Sequence, residues 1–322
     1  MQKPTFEQAI AERQSASARG FKSGPAKQVT SGNGARQPHQ LLSSGALLLA
    51  LALTLPVFSV VLTVFASDNG TIAHLARTVL SNYVINTVAL VIGVAAGVFV
   101  IGTVTAWLVT QCEFPGRRIF EWALIVPLAF PAYIMAYAYT DLLSHPGLVQ
   151  STLRDVTGWG PRDYWFPNIR SLGGAIAMFV LVLYPYVYLF ARTAFQEQSS
   201  HYSEVARTLG RKQSQVVFTV SLPLARPAIV GGMTLALMET LADFGTVSHF
   251  GVQTFATGIY RAWYSMDDLV AAGQLASILL GIVALLVVVE RMERRSARFH
   301  NSRGIREVPR LQLSRTRGVI AS

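Results

Sequence analysis

Apolar residues gather along the chain into six long runs, at residues 45–66, 84–110, 122–140, 171–191, 227–250 and 269–289, separated by polar segments. A helix needs about 20 apolar residues to cross the hydrocarbon of a bilayer. Four of the six runs exceed 20 residues without a charge. The pattern predicts an all-α membrane protein with six transmembrane helices. The first run is longer than the apolar core of a cleaved signal peptide and follows a long polar segment, so it reads as a retained helix. Pro56, the pair Pro127 and Pro131, and Pro185 fall inside the runs; each removes a backbone donor and is expected to kink its helix.

Composition agrees with a bilayer. The chain is 52% apolar and 14% charged, against about 25% charged in a typical soluble domain. The net charge of +10 raises nucleic acid as a partner, but the placement of the basic residues argues against it. With the N-terminus inside, 22 Lys and Arg lie on the inner side and five, Arg77, Arg154, Arg162, Arg170 and Arg261, on the outer. By the positive-inside rule both termini are expected in the cytoplasm. Neither basic tail carries the interleaved aromatics of a nucleic-acid-binding domain. The expected organisation is a disordered basic tail at 1–42, a six-helix domain at 43–290 and a basic tail or linker at 291–322.

Cys112 is the only cysteine, so an intrachain disulfide is impossible and a thiolate metal site has no second sulfur. The six histidines, at 39, 74, 145, 201, 249 and 300, lack metal-ligand spacing. No phosphate-binding G-x-x-x-x-G-K-[ST] loop occurs. The chain is expected to bind no cofactor, and any ATP would be bound by another chain.

Two carboxylates, Glu239 and Asp243, stand in the fifth run at i, i+4. A carboxylate at the bilayer centre costs roughly 2.5 to 3.5 kcal/mol, so the pair is expected to avoid lipid. It either lines a polar or cationic path, or bonds to neighbouring helices or Arg226. Tyr133 with Tyr137, and Tyr184 with Tyr188, share helix faces and are candidates for the same path. Packing or interfacial roles are the alternative.

Between the fourth and fifth runs lies a polar stretch, EVARTLGRKQSQVVFTVSLP, from Glu204 to Pro223. Ser199 or Ser200 can cap a helix over 201–209, Gly210 supplies its stop, and a second short helix is expected over 214–220, ending before Pro223. Val205 and Leu209 give the first helix a small apolar face.

Glu204, Val205, Ala206, then Gly210, then Leu222-Pro223 resemble the EAA loop of ABC importer permeases, with Val205 in place of the motif's first alanine and Val220 in place of its isoleucine. Residues 237–247 and 257–263 resemble the ferric iron permeases of that superfamily. The resemblance implies a type I ABC importer permease fold in the bacterial inner membrane, with the loop as a coupling helix that docks on an ATPase subunit binding ATP and Mg²⁺. It also implies ferric iron delivered by a periplasmic substrate-binding protein. Other small solutes (polyamine, sulfate, phosphonate), or a secondary transporter or channel, are the alternatives. Ferric permeases of this kind carry two six-span halves, each with a loop. One loop here implies a second permease half, supplied by another chain or a second copy, or an N-terminal part of a longer product.

Overall fold

The computed structural model describes residues 37–66, 70–160, 163–198, 213–296 and 311–312. The chain divides into two compact units, 1–56 and 57–322. Helix α1, Gln37–Leu62, passes into a 3₁₀ turn at Thr63–Phe65. Its side chains from 45 to 56 are all exposed, as expected of an apolar surface that meets lipid. The second unit continues with α2 (Thr71–Thr78), α3 (Leu80–Gln111), α4 (Arg117–Ala123), α5 (Ala132–Leu143), α6 (Leu148–Thr157) and α7 (Leu172–Glu197). After residues 199–212 come α8 (Gln213–Val216), α9 (Leu222–Ala242), α10 (Gly245–His249), α11 (Phe255–Tyr260) and α12 (Leu269–Ser296). Cys112–Glu113 pairs in parallel with Leu311–Gln312.

Among the described residues, five helical segments are long and apolar enough to cross a membrane: Gly45–Phe65, Leu80–Gln111, Leu172–Glu197, Val217–Ala242 and Leu269–Glu293. A sixth exists only if a bent pair is counted as one span. The run expected as one helix over 122–140 is broken: Arg117–Ala129 and Ala132–Thr157 meet at 99°. The cause is the proline pair. Pro127 and Pro131 each lack an N–H, and Phe130, before the second proline, is extended at φ −112° and ψ 130°, the conformation a following proline imposes.

The core lies where α3, α7 and α9 meet. Apolar burial does not hold helices together in lipid, which is as apolar as the side chains; close packing does, and small residues permit it. A Cβ on Gly102 of α3 would lie 2.6 Å from Val187 Cβ and 2.9 Å from the Tyr184 carbonyl oxygen of α7. On Gly232 of α9 it would lie 2.9 Å from both the Tyr186 carbonyl oxygen and Val187 Cα. Glycine on two neighbours thus lets the backbone of α7 sit between them. Tyr188, Phe179 and Phe195 of α7 fill the remaining space and are fully buried.

At the end of the bundle opposite the C-terminus of α7, α11 folds back against the start of α3. Asn86 Nδ2 donates to the Gln253 carbonyl at 2.9 Å, and the Tyr83 and Phe255 rings pack together. Asp268 accepts from the Ala271 N–H at 2.9 Å and from Thr71 Oγ1 at 2.7 Å, so it caps α12 and ties it to α2.

Candidate functional site

Glu204, Val205, Ala206 and Gly210 lie outside the described residues, as does the helix expected over 201–209. The stem that presents them is described. Gln198, just past the end of α7, donates from Nε2 to the Ser221 carbonyl at 2.8 Å, which ties the end of α7 to the residue before α9. The second expected helix differs from expectation. It does not stop before Pro223 but runs on, because Val217–Ser221 forms a π-turn in which the Leu222 N–H donates to the Val217 carbonyl. The extra residue in this wide turn lets the chain enter α9 with Pro223 in its first turn, where a missing N–H costs little. Leu222 packs against the core, while Pro223 is exposed.

Charged groups gather at this loop end. Arg226 pairs with Glu293 of α12 at 2.7 Å. Glu121 of α4 pairs with Arg192 of α7, and Tyr188 Oη donates to the Glu121 carbonyl at 3.0 Å. Arg117 Nε donates to the Val109 carbonyl at 2.6 Å, which turns the chain from α3 into α4. Glu113, Phe114, Gly116, Arg117, Arg118 and Glu121 line a cavity of about 620 Å³ there.

The expected face shared by Glu239 and Asp243 is only partly realised. Helix α9 ends at Ala242, and Asp243 is extended at ψ 127°, so the two carboxylates do not continue one helix. Asp243 accepts from the Thr246 N–H at 2.7 Å and Thr246 Oγ1 at 3.1 Å, which makes it the cap of α10. Its bonds are therefore local, and Arg226, the alternative partner, is engaged with Glu293 instead. Glu239 is exposed.

The tyrosines separate into two pairs. Tyr133 and Tyr137 of α5 face α10: a Cβ on Gly245 would lie 3.0 Å from Tyr133 Cβ, and the Tyr137 and His249 rings are 4.1 Å apart. Both tyrosines are about half exposed. Tyr184 and Tyr188, by contrast, are buried in the core. The structure thus brings Tyr133, Tyr137 and Asp243 together around α10 and sets Tyr184 and Tyr188 apart in the packing of α7. Beside α10 stands an array the sequence reading missed, in which Phe244, Tyr260 and Tyr264 stack at centroid distances of 4.3 and 4.7 Å. Among the described residues, no three His, Cys, Asp or Glu side chains are grouped to hold a metal.

Glu121 and Arg192 were also missed. Each stands beside the end of a predicted run, Glu121 before Trp122 and Arg192 after Ala191. Opposite charges at the same end of two consecutive runs were the available signal.

Residues 101–298 match the family described as binding-protein-dependent transport system inner membrane component. The Fe(3+)-transport system permease protein FbpB 2 of Haemophilus influenzae is 26% identical over 274 residues, which cover 84% of this chain and 49% of that protein. The chain thus spans about half the length of that relative. The molybdenum transport system permease protein ModB of Escherichia coli K12 is 26% identical over 66% of this chain and 90% of its own length. The sulfate transport system permease protein CysT of Salmonella typhimurium is 28% identical over 62% and 70%. Among solved structures, a bacterial ABC transporter that imports alginate superposes with a TM-score of 0.64 at 16% identity, over 81% of this chain and 98% of that one. The MetNI methionine ABC transporter superposes with a TM-score of 0.53 at 18% identity, over 72% and 100%. The helical core, the tied loop stem and the extent of the family match lead to one conclusion: the chain belongs to the family of binding-protein-dependent transport system inner membrane components.

Proposed function

We propose that this chain is the permease subunit of an ATP-binding-cassette importer in a bacterial inner membrane, and that it moves ferric iron from a periplasmic binding protein to the cytoplasm. The observation that carries the reading is the family match over residues 101–298, which includes the whole loop and its stem. The loop end faces the cytoplasm, where Glu204, Val205, Ala206 and Gly210 dock on a separate ATPase subunit. Closure of that ATPase with ATP and Mg²⁺ displaces the stem, and the spans respond by alternating access. A second permease half, from another chain or a second copy, completes the path beside Glu239.

An oxyanion such as molybdate or sulfate is the second reading, because ModB and CysT match at similar identity and over more of their own lengths. Iron is preferred on electrostatic grounds. Exposed Glu239 beside a path attracts a cation and repels an oxyanion, and the effect is large where little water screens it.

The test is reconstitution in proteoliposomes with the candidate ATPase and binding protein, offering labelled ferric iron, molybdate and sulfate in turn. ATP-dependent uptake of iron alone is expected. Uptake of an oxyanion in its place would overturn the cargo, and ATP-independent uptake would overturn the importer.

A further inference from the structure

The loop end carries a second connection, separate from the stem tie. The Glu121 carboxylate of α4 pairs with the Arg192 guanidinium of α7. One turn earlier on α7, Tyr188 Oη donates to the backbone carbonyl of the same Glu121. The two α7 residues are at i, i+4, so they address α4 from one face. All three sit largely inside protein: Tyr188 is fully buried, and the Arg192 and Glu121 side chains are 23% and 19% exposed. Arg192 Nε is buried and has no partner among the described residues.

A charge-assisted bond screened from water is stronger than a surface ion pair, and a second bond to the backbone of the same residue fixes orientation as well as distance. The position of this double tie gives it a consequence. On α7 its Arg192 lies within two turns of Gln198 and the loop stem. On α4 it lies just before Pro127 and Pro131, where the chain bends by 99°. Helix α4 is thus held to the element that receives the loop's displacement, and it leads directly into the break.

We propose that Glu121, Arg192 and Tyr188 form a coupling clamp that stays closed and carries displacement of the loop stem into α4, turning the broken span about Pro127 and Pro131. These are positioning residues, and the proposal rests on the importer reading above. With the clamp cut, α7 moves with the loop while α4 lags, so ATP is hydrolysed with less cargo moved.

The experiment compares wild type, Glu121→Gln, Arg192→Gln and the exchanged pair Glu121→Arg with Arg192→Glu, reconstituted with the ATPase and binding protein, for cargo moved per ATP hydrolysed. Each single variant is expected to hydrolyse ATP while its transport ratio falls about five-fold or more, and the exchanged pair is expected to recover part of it. An unchanged ratio in the single variants would overturn the clamp. So would transport and hydrolysis falling together with the amount of folded complex, without recovery in the exchanged pair.

A second readout needs no partner. Spin labels at Arg118→Cys and Thr193→Cys, both exposed positions, report the α4 to α7 distance in the full chain in nanodiscs, where buried Cys112 escapes labelling. Glu121→Gln is expected to broaden a narrow distribution, and unchanged width would overturn the clamp. A narrow distribution that broadens as expected, alongside wild-type liposomes without ATP-driven uptake, would instead sink the importer reading.

Discussion

Gln198 and Ser221, 23 residues apart in sequence, are joined by a 2.8 Å hydrogen bond from the Gln198 side chain to the Ser221 carbonyl. The bond ties the end of α7 to the start of α9 and so closes the base of the segment 199–220, which carries Glu204 and Gly210. A force on a closed base reaches both α7 and α9.

Gln198→Ala is expected to leave both helices formed and to loosen the base. A net hydrogen bond is worth about 0.5–1.5 kcal/mol, so on the importer reading proposed above the affinity for the ATPase subunit should fall by up to roughly ten-fold. Titration calorimetry of the detergent-solubilised chain with the ATPase subunit checks this. Unchanged affinity would show that the base is held by other contacts.

Asp243 and Glu239 are expected to separate cleanly on mutation. Asp243→Leu removes the cap of α10 and should cost about 0.5–2 kcal/mol, whereas Asp243→Asn keeps an oxygen acceptor and most of that stability. Glu239→Gln alters an exposed side chain and should change stability by less than about 0.5 kcal/mol, while on the proposed iron reading it slows uptake of the cation. Thermal unfolding alongside uptake measures both. If Glu239→Gln transports at the wild-type rate, the carboxylate has no part in the path.

Gly232→Val should destabilise by overpacking, about 1–3 kcal/mol, because its Cβ would enter space held by the α7 backbone at Tyr186 and Val187. Gly281→Ala is the control, since a Cβ there meets nothing within 4 Å. Comparison of their unfolding midpoints in detergent decides the matter, and equal midpoints would contradict the close approach.

Asp268 gives the protein an acid-sensitive joint. The Ala271 N–H and the Thr71 hydroxyl hold its carboxyl below the usual value of 3.8. A carboxyl with a depressed folded pKa stabilises the fold fully above its unfolded pKa, and that contribution is lost as pH falls through the folded value. Lowering the pH through and below 3.8 should therefore release α12 from α2, and Asp268→Asn should flatten that part of the unfolding profile. Identical acid profiles for the two proteins would rule out the linkage.

The spans were legible in the sequence because a bilayer imposes a length and a polarity that composition records directly. Residues 84–110 and 269–289 fall inside α3 and α12, and 171–191 falls inside α7 except for Ser171, its N-cap. The third run misled because its apolar character fits a bilayer even where Pro127 and Pro131 prevent one continuous helix. The fifth misled at Asp243, whose side chain makes a local cap and so ends the helical spacing on which the carboxylate pairing depended. Helix α6 was hidden because a short polar helix in a loop leaves no long apolar run.

The sequence by itself determined the class, the uninterrupted spans at α1, α3, α7 and α12, and the loop motif, because each depends on residues near one another along the chain. Tertiary structure alone decided which tyrosines are core and which stand at α10, how α7 is seated between Gly102 and Gly232, and that Glu121 meets Arg192 across 71 intervening steps of chain. Those outcomes are set by how helices pack, and helix packing in lipid depends on side-chain shape at contacts between residues far apart in sequence.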